Sequence, residues 1–228
     1  MGRSRGAARS ARALLRAPWR APTLLGAALV LALTGGALGG AASDEVLLKL
    51  ESGEPALGKS DAPLTMVEFT DYQCPYCRKF QAEVWPRLKR DYIDTGKLRY
   101  IARDLPLEFH ASAAPAAEAA HCAGEQGRFW DMHAALLAGP MDFPSGGIER
   151  RAGALGLDMA RFGECVARRK YAGVIAAHAH QADAAGIDGT PGFIVGRAAN
   201  GVLDGLRVEG AVPYEDFSGL LKELLSGG

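Results

Sequence analysis

The chain has 228 residues, enough for one domain with an insertion around a single core, and its 26 basic and 26 acidic side chains cancel to zero net charge. The six arginines Arg3, Arg5, Arg9, Arg12, Arg16 and Arg20 all stand in the first 42 residues, which hold no acid, so the remainder is acidic by six charges. Such a remainder offers no basic surface to nucleic acid, and that class of partner is set aside.

Residues 1–42 open with these arginines, pass into the apolar run LLGAALVLAL (Leu24–Leu33) and end in small residues, GGAAS (Gly39–Ser43). That order is the pattern of a secretory signal peptide, with cleavage after Ala42 leaving Gly40 and Ala42 at the recognition positions. The alternative is an uncleaved membrane anchor, since Pro22 to Ala42 is about long enough to span a bilayer. Either way Ser43 onward is expected outside the cytoplasm, in the periplasm. No twin-arginine pair precedes the apolar run, which favours general secretion, and the destination is one where disulfides persist.

Residues 43–63 read as a lead-in, with Val46–Leu50 as an edge strand. GEPALGKS (Gly53–Ser60) matches the phosphate-loop pattern. That chemistry needs a helix directly after the lysine. Asp61-Ala62-Pro63 and the strand-like LTMVEF follow instead, so the match is read as coincidence. Leu64–Phe69 reads as a central strand running into CPYC. Phe80, Val84, Leu88 and Tyr92 recur every four residues along one face of a helix, with Pro86 predicting a kink rather than a stop. Gly96 ends the helix and Leu98–Ala102 gives a second strand. From residue 109 to 186 the pattern is alanine-rich and helical, with breaks at Gly124–Gly127, Gly139–Gly147 and Gly156–Asp158. Gly192–Val195 and Leu206–Glu209 return to strand, and Tyr214–Leu225 closes as an amphipathic helix. The order implies an α/β core built from residues 64–108 and 187–228, with a helical insertion at 109–186.

Cys74-Pro75-Tyr76-Cys77 stands at the strand-to-helix junction. Cys74 falls at the N-cap and Pro75 at the first helical position, where its missing N–H costs nothing. A thiolate there faces unpaired N–H groups and the positive end of the helix dipole, which lowers its pKa. Cys74 is therefore expected to be the exposed nucleophile and Cys77 the shielded, resolving partner. Two other readings stay open: a zinc site completed from Cys122, Cys165, His121, His178 or His180, and a purely structural disulfide. The zinc reading lacks a second C-x-x-C, and neither His178 and His180 nor His121 and Cys122 share a helix face. No metal and no cofactor is expected. Cys122 and Cys165 either bond, closing a 44-residue loop for about 4 kcal/mol on the chain-entropy model, or stay as separate buried thiols. Trp85, Phe129 and Trp130 are expected in the core, and His110, His121 and His133 to be solvated or packed between helices.

Downstream, GIDGTPGFIV (Gly186–Val195) starts a strand at Thr190-Pro191. A cis bond here would be a deliberate turn and would leave neighbouring backbone groups free for an extended peptide.

VEFTDYQCPYC, YIARDLPLEFH, AAHCAGEQGRFWDMH, GIDGTPGFIVG and VEGAVPYEDF follow one another in the order and spacing of the DsbA-like thiol:disulfide oxidoreductases, which the chain resembles over about residues 58–225. The resemblance implies a thioredoxin-like fold with an inserted all-helical subdomain. It makes Cys74 the attacking cysteine, Cys77 the resolving one and Thr190-Pro191 the cis-proline loop facing them. Glu68 matches the acidic residue beneath the active site, relaying a proton to Cys77; the alternative pairs Glu68 with Arg99 or Arg103. Cys122 and Cys165 match a second disulfide found in some members. Tyr76 stands where the best-known oxidants carry histidine, and Pro-Tyr looks like the glutaredoxin dipeptide, although that small domain has no helical block.

The leading reading is a monomeric periplasmic donor of disulfides to exported proteins with free thiols, reoxidised by a DsbB-like quinone-linked membrane oxidase. The alternatives are an isomerase or reductase kept reduced by a DsbD-like membrane partner, and a non-catalytic metal carrier using both thiols for Cu(I).

Overall fold

The computed structural model describes residues 45–139, 143 and 146–227; the predicted signal or anchor lies outside them. Among the described residues no helix is long and apolar enough to cross a membrane.

Among the described residues six strands form one sheet in the order β1-β6-β5-β3-β4-β2: β1 (Glu45–Lys49), β2 (Ala56–Leu57), β3 (Leu64–Thr70), β4 (Leu98–Asp104), β5 (Gly192–Ala199) and β6 (Val202–Glu209). The expected edge strand is β1. The short strand β2, which the sequence did not signal, falls inside GEPALGKS, and the helix a phosphate loop requires does not follow it. β3 runs parallel to β4 and antiparallel to β5, and all seven of its residues are buried. Successive strand side chains point to opposite faces. Leu64, Met66, Tyr100, Ala102, Phe193 and Val195 join one apolar cluster; Val67, Phe69, Ile101, Ile194 and Leu203 join the other. Glu68 shares the parity of Leu64 and Met66.

Between β3 and β4 the chain is helical from residue 75 to 93, but not uniformly. α1 (Pro75–Lys79) and α2 (Trp85–Leu88) alternate with wide π-helical turns at Phe80–Val84 and Lys89–Ile93. Trp85 N–H bonds to Phe80 O and Asp94 N–H to Lys89 O, each five residues back. A four-residue spacing drifts by about 40° per step on a regular helix, and the wider turns absorb that drift. Phe80, Val84, Leu88 and Tyr92 are all buried as a result. Pro86 is thus accommodated directly after a wide turn, and the helix continues through it.

Among the described residues five helices lie between β4 and β5: α3 (Ala113–Gly124), α4 (Phe129–Ala138), α5 (Gly147–Ala154), α6 (Met159–Ala167) and α7 (Ala172–Ala184). α8 (Tyr214–Ser226) closes the chain and packs Phe217 against Phe80 and Phe193. The break between α6 and α7 carried no glycine signal. Arg169 takes the left-handed conformation (φ 49°) there, a position after a helix end that usually falls to glycine. Phe129 is buried as expected, while Trp85 and Trp130 are partly buried and stack 6.4 Å apart.

Candidate active site at the CPYC turn

β3 ends at Thr70, and a three-residue turn carries the chain into α1. Asp71 shapes that turn: its Oδ1 accepts from Gln73 N–H at 2.7 Å and its carbonyl from Cys74 N–H at 3.1 Å. An aspartate bonding two residues on is an Asx-turn. Cys74 is the extended N-cap of α1 (φ −68°, ψ 124°), Pro75 opens the helix, and no side chain caps it. The first-turn N–H groups of Tyr76 and Cys77 therefore act on the Cys74 sulfur.

Cys74 and Cys77 are both free thiols. Cys74 was expected to be exposed, yet it is only 3% so, against 0% for Cys77. The cover comes from the far end of the chain: Cys74 Sγ lies 3.1 Å from the carbonyl oxygen of Thr190, to which its protonated form donates. The Thr190-Pro191 bond is cis. The carbonyls on both sides of it are engaged, since Pro191 O accepts from Gly210 N–H at 2.8 Å. Tyr76, between the cysteines, is 62% exposed.

The environment pushes the two thiols apart. The Cys74 thiol is pulled down to about 5, first by hydrogen bonding from Cys77 and also by the Cys77 and Tyr76 backbone N–H groups, against the cost of burial. The amide contribution expected from the sequence is present, but the partner thiol contributes more. Cys77 is raised well above the usual thiol range by burial, by its bond to Cys74 and by the Glu68 charge. Its Sγ accepts from Asp71 N–H at 3.4 Å. One sulfur is thus a thiolate and a good leaving group at neutral pH, and the other keeps its proton.

Glu68, on β3 within electrostatic reach of both thiols, is 1% exposed, and burial raises its carboxyl to about 8. Among the described residues it pairs with no arginine. Arg103 pairs instead with Glu54 at 2.6 Å, both side chains being buried, and among the described residues no ion pair joins Glu68 to Arg99. Tyr100, on the neighbouring strand, donates its hydroxyl to Glu68 Oε2, while Oε1 is buried without a partner.

Several site residues escaped sequence reasoning. Asp71 Oδ2 accepts from Leu107 N–H and lies 2.8 Å from His110 Nδ1, tying the loop after β4 to the turn. The aspartate three residues before Cys74 was a usable signal, because aspartate starts such turns. Arg78 donates to the carbonyls of Tyr72, Leu136 and Leu137, fastening α1 to the end of α4. Tyr72 O–H lies 3.0 Å from His133 Nδ1, buried. Only the fold could reveal the Tyr100, Arg78 and Tyr72 contacts.

The residues weighed as further zinc ligands for CPYC lie elsewhere. Cys122 and Cys165 are bonded to each other, with Cα atoms 5.8 Å apart, joining α3 to α6. His180 is exposed, and His121 and His178 lie against Asp104.

A family model described as thioredoxin matches residues 51–223. The Na(+)/H(+) antiporter NhaA 3 of Salinispora tropica is 44% identical over 146 residues, covering 63% of this chain and 22% of that protein. Disulfide bond formation protein D of Bacillus subtilis is 37% identical over 88 residues, covering 37% of this chain and 39% of that protein. The chain thus matches well under half the length of these curated relatives. Among solved structures, alpha-DsbA1 of Wolbachia pipientis shares the fold at TM-score 0.68 and 24% identity, over 78% of this chain and 93% of that one. Oxidised BdbD of Bacillus subtilis does so at TM-score 0.68 and 24% identity, over 81% and 100%.

Proposed function

This chain belongs to the thioredoxin family and has the fold of the DsbA proteins, and from that premise we propose that it is a thiol:disulfide oxidoreductase donating a Cys74–Cys77 disulfide to exported proteins. The observation that carries the reading is the split between the two thiols: Cys74 down to about 5, Cys77 pushed far up. A pair so divided has a stabilised reduced form, which makes its disulfide an oxidant. The name of the Bacillus subtilis relative, a disulfide bond formation protein, supports the same reading. The antiporter relatives extend far beyond the matched stretch, and their transport is not carried over.

In the proposed cycle a substrate thiolate attacks Cys74 Sγ of the oxidised pair, and the S–S bond breaks with its electrons going to Cys77. Cys77 does not hold a charge well in its buried place, and Glu68, protonated at neutral pH, is the proposed source of its proton. A second substrate thiolate then attacks the substrate sulfur of the mixed disulfide. Cys74 leaves as a thiolate, the substrate has lost two electrons, and the pair has gained them. In the oxidised pair Cys74 has no proton to give the Thr190 carbonyl, which makes Thr190-Pro191 opposite Cys74 the proposed backbone platform for the substrate segment. A membrane oxidase of the DsbB-like, quinone-linked class would return the pair to the disulfide, in the periplasm.

Equilibration with glutathione buffers tests the reading. A potential well above thioredoxin's roughly −270 mV supports a donor, and one at or below that value overturns it. Acid-quenched alkylation in the producing cell then separates donor from isomerase or reductase: a donor is held oxidised, the others reduced.

A further inference from the structure

Away from Cys74, a second polar cluster is built around Asp104, at the end of β4. Its Oδ2 lies 2.7 Å from His121 Nε2 and 3.2 Å from His178 Nδ1, and all three residues are buried. His121 comes from α3 and His178 from α7, so the cluster joins the sheet to two inserted helices. Their donor atoms fall within 4.8 Å of one another. Glu118, one turn before His121, is also buried; its Oε2 accepts from Tyr171 N–H at 3.0 Å, and its Oε1 has no partner. Among the described residues neither Asp104 nor Glu118 has a lysine or arginine ion-pair partner. Both histidines line a cavity of about 680 Å³, bordered by Trp130, Tyr171 and Gln181.

We propose that Asp104, His121 and His178 form a binding site for a zinc ion, reached from this cavity. Two imidazoles and one carboxylate are a nitrogen-rich donor set that suits zinc. Calcium and magnesium take oxygen ligands and are poorly served by it. Asp104 has only the two histidines as charge partners, at 2.7 and 3.2 Å, and Glu118 has no lysine or arginine partner among the described residues; a divalent ion would supply positive charge to these buried carboxylates without protonating either ring. His178 Nδ1 lies 3.2 Å from both the Asp104 amide and the Asp104 carboxylate. Nδ1 has a single lone pair: without metal it accepts from the Asp104 amide, and a zinc ion seated between Nδ1 and Oδ2 would take that lone pair over. Tyr171 stacks on His121 with centroids 4.9 Å apart, limiting its rotation. Three protein ligands leave a position open towards the cavity, the arrangement of zinc sites that keep an exchangeable ligand.

The test uses the full chain, stripped with a chelator, with Cys74 and Cys77 oxidised so that neither thiol can bind metal. Titration with zinc chloride is expected to give one equivalent bound, tightening as pH rises from 6 to 7.5 because the imidazoles must shed protons. Cobalt substituted for zinc is expected to show ligand-field bands with no sulfur-to-metal charge-transfer band. Asp104→Asn and the milder His178→Gln should each weaken zinc by about tenfold or more, in variants whose far-UV spectrum and Cys74 alkylation match the parent. Failure of the oxidised parent to take up zinc, a sulfur charge-transfer band, or equal affinity in folded Asp104→Asn overturns the proposal. The first two readouts need no variant, so a misfolded substitution does not leave the question open.

Discussion

Cys74 Sγ and the Thr190 carbonyl, 116 residues apart in the chain, meet at 3.1 Å. The contact closes the site: the Cys74 sulfur is covered by backbone from the second half of the core. In the proposed cycle an attacking sulfur would approach Cys74 beside this loop.

With Cys74 lowered to about 5, its alkylation by iodoacetamide should rise with a midpoint near that pH, and Cys77 should stay unreactive through neutrality. Cys77→Ser removes the thiol that contributes most to the shift, so the midpoint should move upward; offered a disulfide-bonded test protein, its Cys74 thiolate should attack one sulfur, release the other as a thiolate and accumulate as the mixed disulfide. Cys74→Ser should trap none. Mass spectrometry of the trapped adducts reads both outcomes.

The same shift makes stability depend on redox state. A thiol at about 5 in the folded chain against 9.0 unfolded means the unfolded state binds more protons between those values, so the reduced form gains stability as pH rises across them and loses it as pH falls towards 5. The oxidised form has no such titration. The difference in melting temperature, reduced minus oxidised, should grow from pH 5 to pH 8; a flat difference would contradict the assignment.

Glu68 works in the opposite direction. Held at about 8 against 4.5 unfolded, it keeps its proton in the folded state longer, so its contribution is present below pH 4.5 and lost as pH rises through 8. Glu68→Gln should flatten that part of the pH profile in urea denaturation. If Glu68 is the proton source for Cys77, the variant should also slow oxidation of a reduced test protein. Tyr100→Phe deletes the hydroxyl that Glu68 Oε2 accepts from and should raise the Glu68 midpoint further, readable by carboxyl infrared absorption.

The Arg103–Glu54 pair is buried on both sides. Arg103→Met should cost about 3–5 kcal/mol, because it strands the Glu54 charge. Adding Glu54→Leu should recover most of that loss. Urea midpoints of the single and double variants decide it.

Replacing Cys122 and Cys165 by serine should destabilise the fold by about 2–5 kcal/mol through the unfolded chain. The Cys74 alkylation midpoint should not move, since the bond joins α3 to α6 away from the CPYC turn. Thermal melts and the alkylation profile are measured on one sample.

Local pattern carried much of this protein. The strand that delivers Cys74, the helix that opens at Pro75, the helical block and the two closing strands are written in short-range periodicity, caps and glycines, because those signals come from neighbours within a few residues. The break at Arg168–Tyr171 was hidden, since an arginine took a conformation that glycine normally marks. The spacing of Phe80, Val84, Leu88 and Tyr92 announced a helix without revealing its wide turns.

What tertiary structure alone decided is who meets whom across the sheet. Glu68 had arginines within reach on paper, but strand register set Tyr100 beside it and sent Arg103 to Glu54. His121 and His178, 57 residues apart, were weighed in sequence as partners only for CPYC, and the fold set both on Asp104 instead. A sequence states which groups exist and which face of an element carries them. Long-range burial then chooses the partners, because a charge or lone pair removed from water must be met by whatever the fold brings within about 3 Å.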